Sequence, residues 1–90
     1  MKKHIVITGR VQGVGFRFWL YKAAVKKNIN GWVKNKISGE VEALLIGSDE
    51  DVNNIIKLCK KGSPSSKVTN VNVKNYEKEY LDKPFKIIST

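Results

Sequence analysis

The chain has few of the residues that form disulfides and metal sites. One cysteine in 90 residues excludes an internal disulfide, and one cysteine with one histidine excludes the usual zinc clusters. The sequence has no Asn-x-Ser/Thr acceptor site, and its first apolar run covers only Ile5 to Ile7. Such a run is too short for a signal-peptide core or a membrane span. We therefore expect a cytoplasmic protein.

Acidic residues are also scarce, with 8 Asp and Glu against 17 Lys and Arg, and the formal net charge is +9. This balance favours anionic partners such as nucleic acid, anionic lipid or a phosphorylated small molecule. Only two of the basic residues are arginines, Arg10 and Arg17, and they bracket one glycine-containing loop. Guanidinium binds phosphate as a rigid fork, so this placement indicates a site more strongly than the scattered lysines do.

Size and patterning predict one domain over residues 1–90. The apolar fraction of 41% and the charged fraction of 28% are those of an ordinary globular chain. A chain of this length buries roughly 60–65% of the surface that its unfolded form exposes, which is enough for one core. No apolar stripe is left over once the core is assigned, so we expect a monomer.

Hydrophobic periodicity predicts five strands and two helices. The order is βαββαβ with a short extra strand, and it predicts a ferredoxin-like α/β sandwich in which two helices cover one face of an antiparallel sheet. The predicted strands are Lys3–Thr8, Gly31–Ile37, Glu40–Ile46, Val68–Tyr76 and Phe85–Ile88, and the predicted first helix is 16–27.

The second helix has the clearest signals. Ser48 is its predicted N-cap, and acidic residues fill the first turn, where the helix dipole favours negative charge. An apolar stripe follows at helical spacing and ends at Cys59. Because Cys59 lies on this stripe with no histidine nearby in sequence, we interpret it as a buried core thiol and not as a nucleophile.

The loop between the first strand and the first helix has the composition of an anion site. Glycine at Gly13 and Gly15 allows positive φ and leaves room for a ligand, so successive N–H groups from Gln12 to Arg17 can converge on one point. The helix N-terminus adds favourable partial charge. The pattern is neither the P-loop nor the dinucleotide fingerprint, because no Lys-Ser or Lys-Thr follows and Phe18 stands where the third glycine belongs. By itself it also fits a tight strand-to-helix connection.

Two long blocks and one shorter segment resemble the acylphosphatase family, and the resemblance covers nearly the whole chain. They are Gly9-Arg10-Val11-Gln12-Gly13-Val14-Gly15-Phe16-Arg17, then Gly31-Trp32-Val33-Lys34-Asn35 followed by Gly39, Val41 and Gly47, and the segment from Gly62 to Val68. One departure is Ser38, where many members have aspartate before the glycine of the hairpin turn. It affects turn chemistry and no catalytic position.

The resemblance implies an enzyme that hydrolyses the carboxyl-phosphate bond of small acyl phosphates, with no metal, cofactor or phosphoenzyme. It assigns Arg17 to phosphate binding and Asn35 to orientation of the attacking water. The implied phosphate-binding loop is Gln12, Gly13, Val14, Gly15, Phe16 and Arg17. The residue inventory agrees, because phosphoryl transfer needs mainly positioning and electrostatic stabilisation. His4 lies in the first predicted strand, away from the loop in sequence, so it is a poor candidate for a general base.

The same residues could also have purely structural or solvent-exposed roles. Arg17 could be a surface arginine that caps a carbonyl, Arg10 could assist substrate attraction or be a solvated charge, and Asn35 could be a turn residue. A catalytically idle family member that binds a phosphorylated ligand is a further alternative, and related domains occur within larger carbamoyl-transfer maturation enzymes.

The main rival class is a nucleic-acid-binding module, because RNA-recognition domains share this layout and the chain is basic with interleaved aromatics. The run from Gly13 to Phe18 resembles their aromatic motif but opens a helix, whereas that motif belongs on a strand. We expect the strand face to offer mainly aliphatic residues or their lysine and glutamate neighbours, and the large aromatics to serve the core. The aliphatic residues are Ile5, Ile7, Val41 and Leu45. Nucleic acid is therefore not an expected partner.

Overall fold

Five strands form one sheet and two helices pack on it in the computed structural model, which describes residues 1–89. The elements are β1 (Lys2–Arg10), α1 (Phe16–Lys26), β2 (Asn30–Asn35), β3 (Val41–Ile46), α2 (Asp49–Lys61), β4 (Lys67–Asn75) and β5 (Lys86–Ile87). The order in the sheet is β4-β1-β3-β2-β5. This arrangement confirms the predicted ferredoxin-like sandwich.

The sheet is antiparallel as predicted except at one edge. β5 pairs with β2 in the parallel sense, with Val33 opposite Ile87, whereas the other neighbouring strands are antiparallel. The charged connection after β4 carries the chain across the sheet to its far edge, and a strand that arrives by such a crossover can run parallel to its neighbour.

Strand boundaries differ by one or two residues from the prediction. β2 ends at Asn35 and not at Ile37, because the hairpin turn begins at Lys36. The Lys36 N–H donates to the Glu40 carbonyl at 2.8 Å, and the Gly39 N–H donates to the Lys36 carbonyl at 3.1 Å. Asn35 is therefore the last residue of a strand, held directly beside a closed turn.

The core lies between the helices and the sheet face that they cover. The sheet contributes Ile5, Ile7, Val33, Val41, Ala43 and Leu45, and the helices contribute Phe16, Leu20, Ala24, Val52, Ile55, Ile56 and Cys59, all of them buried. Burial raises the pKa of Cys59 to about 12, so its thiol is protonated at neutral pH. The interpretation of Cys59 as a core thiol is confirmed by its burial.

The opposite sheet face carries the neighbours of the aliphatic residues, which is one of the two possibilities that the sequence left open. Side chains alternate between the two faces of a strand, and Ile5 and Ile7 lie on the face that the helices cover. The other face carries His4, whose Nε2 contacts the Glu42 carboxylate and whose ring lies 6.2 Å from the Trp32 ring. Trp32 is only partly buried, so the expectation that the large aromatics serve the core is wrong for this residue.

Across residues 1–89, no helix combines the length and the apolar character that a membrane crossing needs.

Candidate active site

Two glycines in the left-handed region shape the loop between β1 and α1. Gly13 has φ +73° and Gly15 has φ +79°, and Gly15 is the N-cap of α1. A Cβ built on either glycine would meet no protein atom within 4 Å. The fold therefore needs glycine here for backbone conformation and not for packing space, and the space beside the loop stays open to a ligand.

The N-terminus of α1 has no side-chain cap in the part of the chain that the structure describes. Its first turn contains no acidic residue, and Arg17 is its second residue. The first N–H groups of a helix have no acceptor within the helix, and together they act as a partial positive charge. An anion at this end would be stabilised both by these groups and by the guanidinium of Arg17.

Strand β2 brings Asn35 to the same place. Asn35 is two residues beyond the buried Val33, so both side chains belong to the sheet face on which α1 packs. A concavity of about 450 Å³ opens there between the loop, the start of α1 and the end of β2. Its lining residues are Val11, Gln12, Gly13, Gly15, Phe16, Arg17, Phe18, Asn35 and Ile87.

Six of the seven site residues predicted from sequence line this concavity, and Val14 does not. The side chain of Val14 packs against the core instead. Two other candidates lie elsewhere. Arg10 is exposed at the end of β1 and is not among the lining residues, and His4 is on the far face of the sheet beside Glu42.

The side chain of Gln12 has a structural role that sequence reasoning missed. Its Nε2 donates to the carbonyl of Lys36 at 2.6 Å and to the carbonyl of Glu40 at 2.8 Å. These two carbonyls close the hairpin turn directly after Asn35. Gln12 therefore ties the glycine loop to the strand end that carries Asn35, and no local sequence signal predicts this contact between positions 24 and 28 residues apart.

The carboxylate of Glu40 braces the same turn. The hydroxyl of Ser38 donates to it at 2.8 Å, and this hydrogen bond is the main reason that the pKa of Glu40 lies below its usual value. The ammonium of Lys36 lies 3.8 Å from the same carboxylate. Ser38 is the one departure from the family pattern noted in the sequence. Its hydroxyl makes a donor contact that an ionised aspartate could not make.

Comparison with known proteins links this chain to one family. The sequence profile of the family described as Acylphosphatase matches residues 3–87. The chain is similar to an acylphosphatase of Bacillus pumilus, with 47% identity over 68 residues and 76% of each chain covered. It is also similar to the crystal structure of acylphosphatase from Bacillus subtilis, with a TM-score of 0.91, 38% identity and 97% of each chain covered. The crystal structure of T. kodakarensis HypF contains a similar region, with a TM-score of 0.86 and 34% identity. That match covers all of this chain and 12% of the HypF chain.

Proposed function

Because this chain belongs to the acylphosphatase family and is a hydrolase of acyl phosphates, we propose that the loop from Gln12 to Arg17 binds the substrate phosphate and that Asn35 orients the attacking water. The observation that carries the proposal is the concavity that Arg17 and Asn35 share with the start of α1. Helix α1 and the loop before it bring N–H groups and the guanidinium of Arg17 to this point, and strand β2 brings the neutral amide of Asn35.

The proposed role of the loop is to hold the phosphate and neutralise its charge. In phosphoryl transfer the charge is spread over three equatorial oxygens, and catalysis consists mainly of positioning and electrostatic stabilisation. The loop N–H groups and the guanidinium fork of Arg17 are donors suited to those oxygens. They act with least competition from solvent when the substrate fills the concavity.

The proposed step is direct hydrolysis. The oxygen of the water forms a bond to phosphorus while the bond from phosphorus to the acyl oxygen breaks, and the acyl group leaves as a carboxylate. A carboxylate is a good leaving group, so the step needs no strong general acid. The amide oxygen of Asn35 accepts a hydrogen bond from the water but cannot take its proton at neutral pH. The proton therefore passes to a phosphate oxygen, and the step requires neither a metal nor a phosphoenzyme.

Several broader points remain predictions under the same proposal. We expect one functional domain over residues 1–90, a monomer, a cytoplasmic location and no nucleic-acid partner. The chain's positive charge is expected to speed the encounter with anionic substrates, an effect that salt screens. A kcat/KM that falls as ionic strength rises would support this electrostatic attraction.

The test follows benzoyl phosphate hydrolysis by ultraviolet absorbance with EDTA present. We expect metal-independent turnover by the wild type and a loss of at least about 10³ in kcat/KM for Arg17→Ala, because this residue both binds and stabilises charge. Inorganic phosphate, a product, reports binding through its competitive inhibition constant. Arg10→Ala is the matched control, because Arg10 is an exposed arginine outside the concavity.

Asn35→Ala separates the two proposed roles. We expect kcat to fall by about 10²–10³, while the inhibition constant of phosphate stays within about twofold of the wild-type value. Full activity in Asn35→Ala would show that the water-orienting role is wrong. Unchanged phosphate inhibition in Arg17→Ala would remove the phosphate site from this loop.

A further inference from the structure

Two exposed apolar side chains stand at the mouth of the concavity. Phe18, the third residue of α1, is 55% exposed, and Ile87 of β5 is 38% exposed. Both line the concavity beside Arg17 and Asn35. Apolar surface left in water costs about 25 cal/mol per Å², and exposed apolar side chains that line a concave site are a feature of ligand-binding surfaces.

The ring of Phe18 is held in place although it is exposed. It stacks on Tyr21 with 6.1 Å between ring centroids and 18° between ring planes. Tyr21 in turn contacts Phe85, which is fully buried, at a centroid distance of 6.3 Å. The ammonium of Lys22 lies 5.0 Å from the centroid of the Phe18 ring. Contacts from two side chains, one of which packs on a buried ring, hold the exposed ring in place, which lowers the entropic cost of packing a ligand against it.

Ile87 reaches the mouth from the sheet. It pairs with Val33, two residues before Asn35, and therefore lies on the sheet face that also carries Asn35. Apolar groups from a helix and from a strand thus border the same opening. Nothing polar or charged on these two side chains could recognise a phosphate.

We propose that Phe18 and Ile87 form an acyl-binding wall, which makes acyl phosphates with aromatic or bulky apolar acyl groups preferred substrates over small ones. The inference rests on the proposed function, because it needs the phosphate end of the substrate to lie in the glycine loop. With the phosphate there, the acyl group must extend toward the mouth, where these two side chains offer apolar contact. Acetyl phosphate is too small to use the wall, and benzoyl phosphate is large enough to cover it.

The test compares kcat/KM for benzoyl phosphate and acetyl phosphate in the wild type, Phe18→Ala, Phe18→Gln and Ile87→Ala. Phe18→Gln keeps helix propensity and puts a neutral polar side chain where the ring was. Val25→Ala is the control, because Val25 is an exposed apolar residue near the other end of the same helix. The inhibition constant of phosphate is measured for each variant, and circular dichroism checks the fold.

We expect the two Phe18 variants to lower kcat/KM for benzoyl phosphate by about tenfold. This is the low end of the cost of a lost apolar contact, because the wall is half exposed. We expect Ile87→Ala to lower it by about threefold, the value for acetyl phosphate to change by less than about twofold, and Val25→Ala to match the wild type.

The ratio of the two substrates and the phosphate inhibition separate the two proposals. Equal losses for both substrates, or no loss for either, would overturn the acyl-binding wall. If phosphate inhibits the wild type competitively while the substrate ratio stays constant across the variants, only the wall is wrong. If phosphate inhibition does not depend on Arg17, the loop assignment itself is wrong.

Discussion

The two helices begin in opposite ways. The N-terminus of α2 is satisfied by its own sequence, since the Ser48 hydroxyl accepts from the Asp51 N–H at 3.1 Å and the first turn holds three acidic residues. The N-terminus of α1 begins at Gly15, has no side-chain cap among the described residues, and carries Arg17 in its first turn. A cation at this end opposes the helix dipole. An arrangement that is unfavourable for the free helix becomes favourable when an anion binds, which is the role we propose for the α1 start, whereas the α2 start is stabilised by its own residues.

Within the comparison of the two helix starts, the largest effect is expected from changing the cation at the α1 start without changing its charge. Lysine in Arg17→Lys keeps one positive charge but loses the planar fork that can hold two phosphate oxygens at once. We expect kcat/KM to fall by about 10²–10³ and phosphate inhibition to weaken, as steady-state kinetics with acetyl phosphate will report. Arg10→Lys should change neither quantity by more than about twofold. Unchanged phosphate affinity in Arg17→Lys would contradict the claim that the guanidinium holds two phosphate oxygens.

A smaller effect is expected when the α1 start is made to resemble the α2 start. Phe18→Glu places a carboxylate in the first turn of α1, and Phe18→Gln is its neutral counterpart of the same shape. Relative to the glutamine variant, we expect the glutamate variant to be more stable to unfolding by about 0.3–1 kcal/mol, because the helix dipole favours the carboxylate. Its kcat/KM for acetyl phosphate should be about tenfold lower, because the carboxylate repels the substrate phosphate.

If the glutamate variant were both more stable and more active than the glutamine variant, the two helix starts would not differ in the way we propose. Urea unfolding measures the first quantity and steady-state kinetics the second. A glutamate variant with higher activity than the glutamine variant would show that no anion binds at this helix end.

The smallest effect on activity is expected at α2. Ser48→Ala removes the N-cap hydroxyl and should lower the free energy of unfolding by about 1 kcal/mol. Activity should stay within about twofold of the wild-type value, because α2 contributes no residue to the lining of the concavity. Urea unfolding and the acetyl phosphate assay are the measurements. A drop in kcat/KM as large as the drop in Arg17→Lys would mean that the two helix starts do not differ in role.

Local signals explain which parts of the fold could be predicted. The start of α2 follows from Ser48 and the acids after it, since capping and dipole effects act within one turn of the chain. The glycine loop follows from positive φ at Gly13 and Gly15, which other residues rarely adopt. In both places the residue types carry the physical reason for the structure.

The features that prediction missed depend on contacts between distant positions. The parallel pairing of β5 with β2 depends on where the charged connection crosses the sheet, and the hydrogen bonds of Gln12 depend on the hairpin lying beside the loop. The wrong expectation that Trp32 serves the core followed from not assigning this residue to a side of the sheet. That assignment requires the register of neighbouring strands, which no single strand encodes.

The most direct test of the central claim is a titration of the ¹⁵N-labelled protein with inorganic phosphate, followed by the amide resonances. We expect saturable shifts at the N–H groups of residues 13–17, with a dissociation constant equal to the inhibition constant from kinetics. We expect no such shifts at Glu50 and Asp51 in the first turn of α2. We also expect these saturable shifts to be lost in Arg17→Ala, because the guanidinium is part of the proposed phosphate site. Phosphate that shifts both helix starts alike, or neither, would contradict the claim that the start of α1 is the anion site.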